Sequence, residues 1–243
     1  MIKKGARQDS SVVNSKYYDF LKDKRVIIVG PAWHTKNSKQ KDFIEGYDVV
    51  VRMNMSSIIP SEKIVMDIGT KIDIWYCSFS GYFFNKKIIT VKFLKGLKQR
   101  GLKWMSCPYA AKRAGGIRKL KEYNKSSIPI HIVNHEYYKD LHKNSKTKIT
   151  TGLMTIYDLL HFNIKELYLT GMSFYKTDVI NKRRTYYSGY QEGSIFVDEK
   201  KKKKHDFNNE LNIFSKLYEK YDKIDCDDTL KKTLENMKMN RNK

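Results

Sequence analysis

The stretch Val26-Ile27-Ile28-Val29-Gly30-Pro31 consists of four apolar, β-branched residues followed by a turn-forming pair. Such a run is typical of a strand that is buried on both faces, and the glycine and proline end it. Six further runs of strand character follow along the chain, at residues 47–53, 72–77, 102–106, 130–133, 166–170 and 223–226. The sequence therefore predicts a sheet of about seven strands.

Segments of helical periodicity separate these strands, at residues 86–100, 115–123, 136–143, 151–162 and 205–221, and a last one covers 229–239. Strands that alternate with helices predict a mainly parallel sheet with helices on both faces, which is a doubly wound α/β fold. In such folds ligands bind outside the carboxyl ends of the strands, near the point where the strand order reverses. Residues directly after the strands are therefore the candidates for function.

The chain shows no convincing internal linker, so residues 17–243 are predicted to form a single domain. Residues 1–16 are polar and basic, which predicts a mobile N-terminal segment without an apolar signal region. Residues 171–204 form one long irregular stretch, which predicts a lid over the active site. No apolar run approaches the roughly 18 residues that cross a bilayer, so we expect no transmembrane segment.

The charge balance is strongly positive, with 48 Lys and Arg against 26 Asp and Glu, a net charge of +22. It predicts a polyanionic partner, which could be nucleic acid, an acidic membrane surface or an acidic glycan. The densest charge is the run Lys200 to Lys204, directly before His205. Three scattered cysteines, Cys77, Cys107 and Cys226, indicate a reducing compartment rather than a disulfide framework. We therefore expect an intracellular, cytoplasmic protein.

Several polar or small residues come at the predicted ligand edge. Gly30 follows the first strand and would let a ligand approach the backbone, and Asn54 follows the second strand, where its amide could bind a ribose or a base. Thr150 or Thr151 can cap the apolar helix predicted at 151–162. Gly152 has no side chain and leaves the backbone N–H groups of its first turn exposed, which suits an anion or a nucleotide. Each residue also has an ordinary explanation as a turn or a cap.

The second half of the chain adds candidates for the chemistry. Ser173 and Phe174 follow the strand at 166–170, and the stretch after them holds neutral donors for a departing phosphate: Tyr186, Tyr187 and Tyr190. His205 stands at a predicted helix start, and an imidazole suits proton transfer near neutral pH. Glu210 is five residues further, about 500° around a helix, so we expect it to position structure rather than to share a proton with His205.

A metal site is the alternative to consider at Asp225-Cys226-Asp227, because many nucleotide-sugar transferases hold Mn²⁺ or Mg²⁺ with a DxD sequence. This one lies after the last strand and just before a helix that Asp228 could cap. We favour capping and predict no metal.

Taken in order, these pieces resemble the sialyltransferases. The resemblance runs from Val26 through the segments YDVVVRMN (47–54) and DIGTK (67–71) to ITTG (149–152) and KELYLTGMSFY (165–175). It ends with the tyrosine stretch and the HxxxxE spacing of His205 and Glu210. Each piece is weak alone, whereas their order and spacing together are specific.

The resemblance implies a single-domain, Rossmann-like glycosyltransferase fold, of the GT-A-like variant that sialyltransferases use. It implies inverting, metal-independent transfer of a sugar from a CMP-sugar donor, such as sialic acid or Kdo. Gly30, Asn54, Thr150, Thr151 and Gly152 would hold CMP, with Ser173 and Phe174 beside them. The tyrosines Tyr186, Tyr187 and Tyr190 would steady the phosphate, and His205 would be the general base.

The chain departs from the family at three places. Pro31 stands where the family usually has an asparagine, so one nucleotide contact is lost or replaced. Val26 and Ile164 stand at about the places of the cysteine pair of secreted members, which fits a cytosolic enzyme. Tyrosine replaces the phosphate-binding histidine of the eukaryotic members, as in the bacterial ones.

The acceptor is open on sequence grounds. A glycan or glycolipid is the first hypothesis, with the lysines and the terminal helices resting on an acidic membrane. The second hypothesis is sugar transfer to hydroxylated bases of DNA, because a net charge of +22 suits the phosphate backbone of duplex DNA. An example would be viral DNA glycosylation with a pentose like arabinose in a host cytoplasm. A non-catalytic nucleic-acid-binding protein on a transferase fold is the third.

Overall fold

The computed structural model describes residues 10–55, 62–109, 114–145, 147–174 and 205–241. These residues contain one seven-stranded sheet. Its strands are β1 (Arg25–Val29), β2 (Val49–Met53), β3 (Ile74–Tyr76), β4 (Trp104–Cys107), β5 (Ile130–Ile132), β6 (Glu166–Thr170) and β7 (Ile224–Cys226). Each of the seven predicted strands is confirmed, with its ends displaced by two residues at most.

Helices connect the strands in the described part of the chain. They are α1 (Ser10–Leu21), α2 (Lys41–Glu45), α3 (Val65–Ile68), α4 (Gly81–Asn85), α5 (Val91–Gln99), α6 (Ala114–Tyr123), α7 (His135–Ser145), α8 (Thr151–Leu159), α9 (Phe207–Lys220) and α10 (Asp228–Arg241). Two short 3₁₀ turns, Trp33–Thr35 and Glu62–Ile64, precede α2 and α3. None of these helices is long and apolar enough to span a membrane.

The strand order is β5-β4-β3-β2-β1-β6-β7, and every neighbouring pair is parallel. The chain builds the sheet outward from β1 to β5 and then returns to the other side of β1, so the order reverses between β1 and β6. This confirms the predicted doubly wound fold. Because all strands are parallel, their carboxyl ends lie along one side of the sheet, which we call the carboxyl edge.

Both faces of the sheet are buried, as the continuous apolar strands require. On β1, Val26 and Ile28 pack on one face with side chains of α1, α8 and α9, while Ile27 and Val29 pack on the other with α2 and α3. Further along the sheet, that second face is covered by α4, α5 and α6. The helices therefore leave the carboxyl edge as the side on which loops can form a site.

The N-terminal helix α1 begins at Ser10, inside the segment 1–16 that the sequence predicts to be mobile. Tyr17 anchors it, since this side chain is fully buried and its hydroxyl lies 2.9 Å from the Tyr76 hydroxyl on β3. Residues 1–9, and all but four residues of the predicted lid at 171–204, lie outside the described ranges. The division of the chain into domain, basic segment and lid therefore stays a prediction.

The helix predicted at 86–100 is shorter than expected. Thr90 ends the preceding turn and caps α5, because its Oγ1 accepts a hydrogen bond of 3.1 Å from the Phe93 backbone N–H. The separate short helix α4 precedes this turn and is capped by Ser80. The helix predicted at 86–100 is thus shortened to α5, and α4 is an additional helix before it.

Candidate functional site

The carboxyl edge is closely packed where β1 and β6 end. The Gly30 N–H donates to the Thr170 carbonyl at 2.8 Å. A Cβ on Gly30 would lie 2.2 Å from the Gly171 carbonyl oxygen, so no side chain fits there. Gly171 itself adopts φ 67°, where glycine is favoured. Glycine is thus required at position 30 for packing at the point where the strand order reverses, and its contact with a nucleotide stays a prediction.

Asp227 and His34 stabilise the turn at Gly171 after β6, and this pair was not predicted from the sequence. One carboxylate oxygen of Asp227 accepts the Gly171 N–H at 2.8 Å and the His34 Nε2–H at 2.9 Å. The other oxygen accepts the Leu230 N–H at 3.0 Å and so caps α10, which makes Asp227, and not the predicted Asp228, the capping residue. Burial alone would raise the pKa of the Asp227 carboxyl, but these hydrogen bonds and the charge of His34 hold it below its ordinary value.

Both carboxylates of the DxD sequence have protein partners. Asp227 is occupied as described above, and Asp225 forms an ion pair of 2.9 Å with Lys231 on α10. Across the described ranges, no three His, Cys, Asp or Glu side chains form a group that could hold a metal ion. The preference for a capping role at this sequence agrees with these contacts.

Asn54 lies directly after β2, as predicted, with a left-handed backbone of φ 49°. Its N–H donates to the Tyr76 carbonyl at 2.7 Å, and its carbonyl accepts the Trp75 Nε1–H at 2.6 Å. These bonds fix the backbone of a half-buried residue at the carboxyl edge.

Arg52 gives the YDVVVRMN and DIGTK segments a scaffolding role. Its fully buried guanidinium donates to the Ile68 carbonyl at 2.7 Å and to the Lys71 carbonyl at 2.8 Å, so it satisfies acceptors at the end of α3. Asp67 accepts the N–H groups of Asn37 and Lys39 at 2.9 and 3.1 Å. The DIGTK segment therefore ties β2 to the loop after β1.

The start of α8 brings three predicted residues to the same edge. Thr150 is the N-cap, and its Oγ1 accepts the Leu153 N–H at 3.3 Å. Thr151 is buried, and a Cβ on Gly152 would lie 3.0 Å from Met172 Cε and 4.0 Å from Met53 Sδ. Met53 and Met172 directly precede Asn54 and Ser173. The first turn of α8 thus adjoins the ends of β2 and β6.

Glu210 joins this turn to α9. Its side chain is fully buried, and its two oxygens accept the Thr150 N–H at 2.8 Å and the Thr150 hydroxyl at 2.5 Å. The hydroxyl donates to Glu210 while it accepts from Leu153, so both of its functions are used. Glu210 therefore has the positioning role that the sequence predicts for it.

His205 lies beside Glu210, although the helical angle between them suggested otherwise. The angle does not apply, because Asp206 is the N-cap of α9 and His205 precedes it. The His205 Nδ1 lies 2.6 Å from the Lys148 carbonyl oxygen and 3.7 Å from a Glu210 oxygen. The imidazole is 26% exposed. The ITTG segment and the HxxxxE spacing, which are about 55 residues apart in sequence, thus form one unit.

The Lys148 contact determines where the imidazole proton lies. A carbonyl oxygen only accepts hydrogen bonds, so Nδ1 carries the proton in the neutral ring and Nε2 keeps its lone pair. Nε2 is then the atom that could take a proton from a substrate, and the nearby carboxylate of Glu210 would stabilise the resulting imidazolium.

The remaining predicted residues are placed differently. Phe174 is 7% exposed and stacks on Phe214 of α9, with ring centroids 5.1 Å apart, so it joins β6 to α9. Ser173 beside it is buried. Tyr186, Tyr187 and Tyr190 lie outside the described residues, as does the lysine run 200–204.

Tyr109 is a further residue that sequence reasoning missed. It follows β4 at the carboxyl edge, and its hydroxyl donates to the Ile149 carbonyl at 2.7 Å. Burial raises the pKa of Tyr109 well above its ordinary value, so the hydroxyl stays a donor. The signal was available, because Cys107-Pro108-Tyr109 ends a buried strand as Asn54 does.

Comparison with known proteins agrees with this geometry. Residues 13–221 match the family model of glycosyltransferase family 29 (sialyltransferase). The sialyltransferase CstII from Campylobacter jejuni, solved with cytidine-5′-monophosphate, superposes with a TM-score of 0.51 at 19% identity over 84% of this chain and 80% of that one. A mammalian sialyltransferase superposes with a TM-score of 0.53 at 14% identity over 93% of this chain and 81% of that one. No curated protein matches the sequence.

The solved structures confirm the fold, and the family model covers most of the chain. Neither supports DNA as the acceptor or a non-catalytic role in nucleic-acid binding. The chain belongs to glycosyltransferase family 29, the sialyltransferases, and is a glycosyltransferase that uses a CMP-sugar donor.

Proposed function

We propose that the protein transfers a sugar from a CMP-activated donor, sialic acid, Kdo or a similar sugar, to a hydroxyl of a glycan or glycolipid, with inversion and without a metal. The observation that carries this proposal is the His205 imidazole, whose Nδ1 lies 2.6 Å from the Lys148 carbonyl oxygen. A histidine held through one nitrogen by a carbonyl presents the other nitrogen as a base. This base is joined through Glu210 to the predicted nucleotide site at Thr150.

The transfer is a single displacement at the anomeric carbon. His205 Nε2 accepts the proton of the acceptor hydroxyl while its oxygen forms the new bond to that carbon. The bond between the anomeric carbon and the CMP phosphate oxygen breaks, and CMP leaves with the electron pair. Attack opposite the leaving group inverts the configuration.

The first turn of α8 supports the leaving phosphate. Thr150 Oγ1 accepts the Leu153 N–H, which leaves the N–H groups of Thr151 and Gly152 at the positive end of the helix. Donors placed where negative charge develops lower the barrier of such a step. CstII, solved with cytidine-5′-monophosphate, offers a parallel for a nucleotide on this fold. In our proposal Gly30, Asn54, Ser173 and Phe174 complete the CMP site, and Tyr186, Tyr187 and Tyr190 donate to the phosphate.

Product analysis tests the proposal. Purified protein is incubated with CMP-sialic acid or CMP-Kdo and an oligosaccharide acceptor, and CMP release is measured together with the anomeric configuration of the product by NMR. We expect CMP release with at least one donor and a product of inverted configuration. Retention of configuration, or no CMP release from folded protein with either donor, would refute the mechanism.

Chelation tests the metal-independent part. Asp225 and Asp227 are engaged by Lys231, His34 and backbone N–H groups, which supports a structural role for them. We expect the rate to be unchanged in excess EDTA. A loss of activity that Mn²⁺ or Mg²⁺ restores would assign the DxD sequence to a metal.

The compartment is part of the proposal. Cys77, Cys107 and Cys226 are buried free thiols, which supports a reducing cytoplasm. Cell fractionation should recover the protein with cytoplasmic markers, either free or washed from membranes by high salt. Recovery with secreted proteins would contradict this assignment.

A further inference from the structure

More than half of the net charge comes from one fifth of the chain. Residues 79–130 contain thirteen Lys and Arg and one acidic residue, Glu122, a net charge of +12 out of +22. The rest of the chain mixes both signs, with 35 basic and 25 acidic residues. Such a local excess differs from the even spread that a lysine-rich composition alone would give.

The fold collects this segment into one layer on one face of the sheet. The helices α4, α5 and α6 pack through Phe84, Leu94, Leu97 and Leu120 on the same apolar cluster, which includes Trp75 of β3 and Met105 of β4. Lys119 of α6 donates to the Asn85 side chain at the end of α4 at 2.8 Å, so the helices adjoin. We call α4, α5, α6 and their connecting turns the basic layer.

The outer surface of the basic layer carries cations without internal counterions. Seven of its lysines are exposed, and among the described residues none of the seven makes an ion pair: Lys86, Lys87, Lys92, Lys95, Lys98, Lys121 and Lys125. Lys103, at the start of β4, differs because it pairs with Asp73 at 2.9 Å. An uncompensated field of this kind attracts an anionic surface.

Apolar side chains stand out of the same layer. Tyr82 on α4 is 53% exposed, and Val91 at the start of α5 is 42% exposed. Tyrosine and aliphatic side chains among lysines are typical of a surface that rests at the headgroup level of a bilayer. A nucleic-acid backbone would use the lysines and leave these apolar groups without a role.

We propose that the basic layer is a peripheral docking surface for an anionic lipid bilayer. The lysines contact the headgroups, and Tyr82 and Val91 enter the interface. In this orientation the sheet lies roughly parallel to the bilayer, because the layer covers one face of the sheet. The carboxyl edge then opens sideways and stays uncovered by lipid. This docking is independent of the transfer reaction and of the lysine run at 200–204.

Vesicle co-sedimentation tests the docking. Full-length protein is mixed with vesicles of phosphatidylcholine alone or with about a quarter phosphatidylserine, at about 0.1 M salt. We expect binding only to the anionic vesicles. Each lysine near an anionic surface contributes roughly fivefold to binding, so the variant Lys92→Glu/Lys95→Glu/Lys121→Glu should bind at least ~100-fold more weakly. Val91→Ser should weaken binding at constant charge.

A matched control separates this layer from net charge. The variant Lys22→Glu/Lys165→Glu/Lys232→Glu makes the same change in charge at exposed lysines outside the basic layer, and we expect it to keep binding within ~10-fold of the native protein. Thermal unfolding verifies that both variants fold. Equal loss in the two variants, no binding of native protein to anionic vesicles, or tighter binding of the layer to duplex DNA than to vesicles would each overturn the proposal.

Discussion

Two of the three histidine–carboxylate pairs among the described residues use the same chemical groups in opposite surroundings. His131 on β5 and Asp158 on α8 lie in the core, with Nε2 3.0 Å from the carboxylate and side-chain exposures of 4% and 0%. Asp158 also accepts the Tyr76 hydroxyl at 2.6 Å, and Tyr17 stacks on the His131 ring at 4.1 Å. This pair joins β3, β5, α1 and α8 and is closed to any substrate.

His205 and Glu210 form the second pair, at the carboxyl edge. Here the carboxylate is buried and bound to Thr150, whereas the imidazole is 26% exposed. The comparison shows that a histidine next to a carboxylate is not by itself a catalytic base. What distinguishes His205 from His131 is that a carbonyl holds one nitrogen while the ring keeps access to solvent at the carboxyl edge.

The largest effect expected from this comparison is on turnover. His205→Ala removes the base and should lower kcat by ~10²–10⁴, with little loss of stability, because His205 precedes the cap of α9 and is partly exposed. His161→Ala is the control, since His161 is an exposed histidine outside the site. Steady-state CMP release measures both. Near-native turnover of His205→Ala would remove His205 from the mechanism.

Removing the carboxylate of the core pair, His131 and Asp158, should lower the stability of the protein rather than its turnover. Asp158→Ala leaves the Tyr76 hydroxyl and His131 Nε2 buried without their acceptor, and such a loss costs about 3–5 kcal/mol. We expect a lower free energy of unfolding in urea and unchanged kcat per folded molecule at low temperature. A stability loss below about 1 kcal/mol would show that the network contributes little.

The fold could be predicted because its signal is local. Val26–Val29 is an apolar run that only a sheet covered on both faces can bury, Glu166–Thr170 alternates polar and apolar residues, and all seven predicted strands were found. The helix α1 was missed because its stability comes from burying Tyr17 against Tyr76 and His131, contacts between residues about 60 and 115 positions apart. No periodicity within residues 10–21 reveals those partners.

The candidate site likewise has residues that the local sequence predicts and residues whose contacts depend on distant parts of the chain. The positions of Thr150, Gly152 and His205 at helix starts near the carboxyl edge could be predicted from the sequence, and their roles stay a prediction. The pair His34 and Asp227 could not, because 193 positions separate the two and only the return of the chain past β1 brings them together. Glu210 was assigned a positioning role, but its actual partner, Thr150, required the packing of α9 against α8.

Glu210→Gln tests the His205 and Glu210 pair at the carboxyl edge and should have a smaller effect than His205→Ala or Asp158→Ala. Gln keeps the shape but replaces one acceptor oxygen by a donor, so the contact with the Thr150 N–H or hydroxyl is lost, at a cost of about 1–3 kcal/mol. We expect weaker binding of CMP, measured by calorimetry, together with the lower stability. Glu219→Gln, at a more exposed position of the same helix, is the control. Unchanged CMP affinity would separate the positioning of Thr150 from nucleotide binding.

The third pair, His34 and Asp227, should give the smallest effect, and one that depends on pH. The pKa of Asp227 is lowered in the fold, against burial, by bonds from His34, Leu230 and Gly171, so its carboxylate stabilises the protein above its ordinary pKa of 3.8. That contribution, about 1 kcal/mol, is lost as the pH falls past 3.8 and through the lowered folded value. The difference in unfolding free energy between native protein and Asp227→Asn should therefore be fully present at about pH 5 and shrink below about pH 4. Urea unfolding at each pH measures it, and a difference that grows in acid would reverse the sign of this assignment.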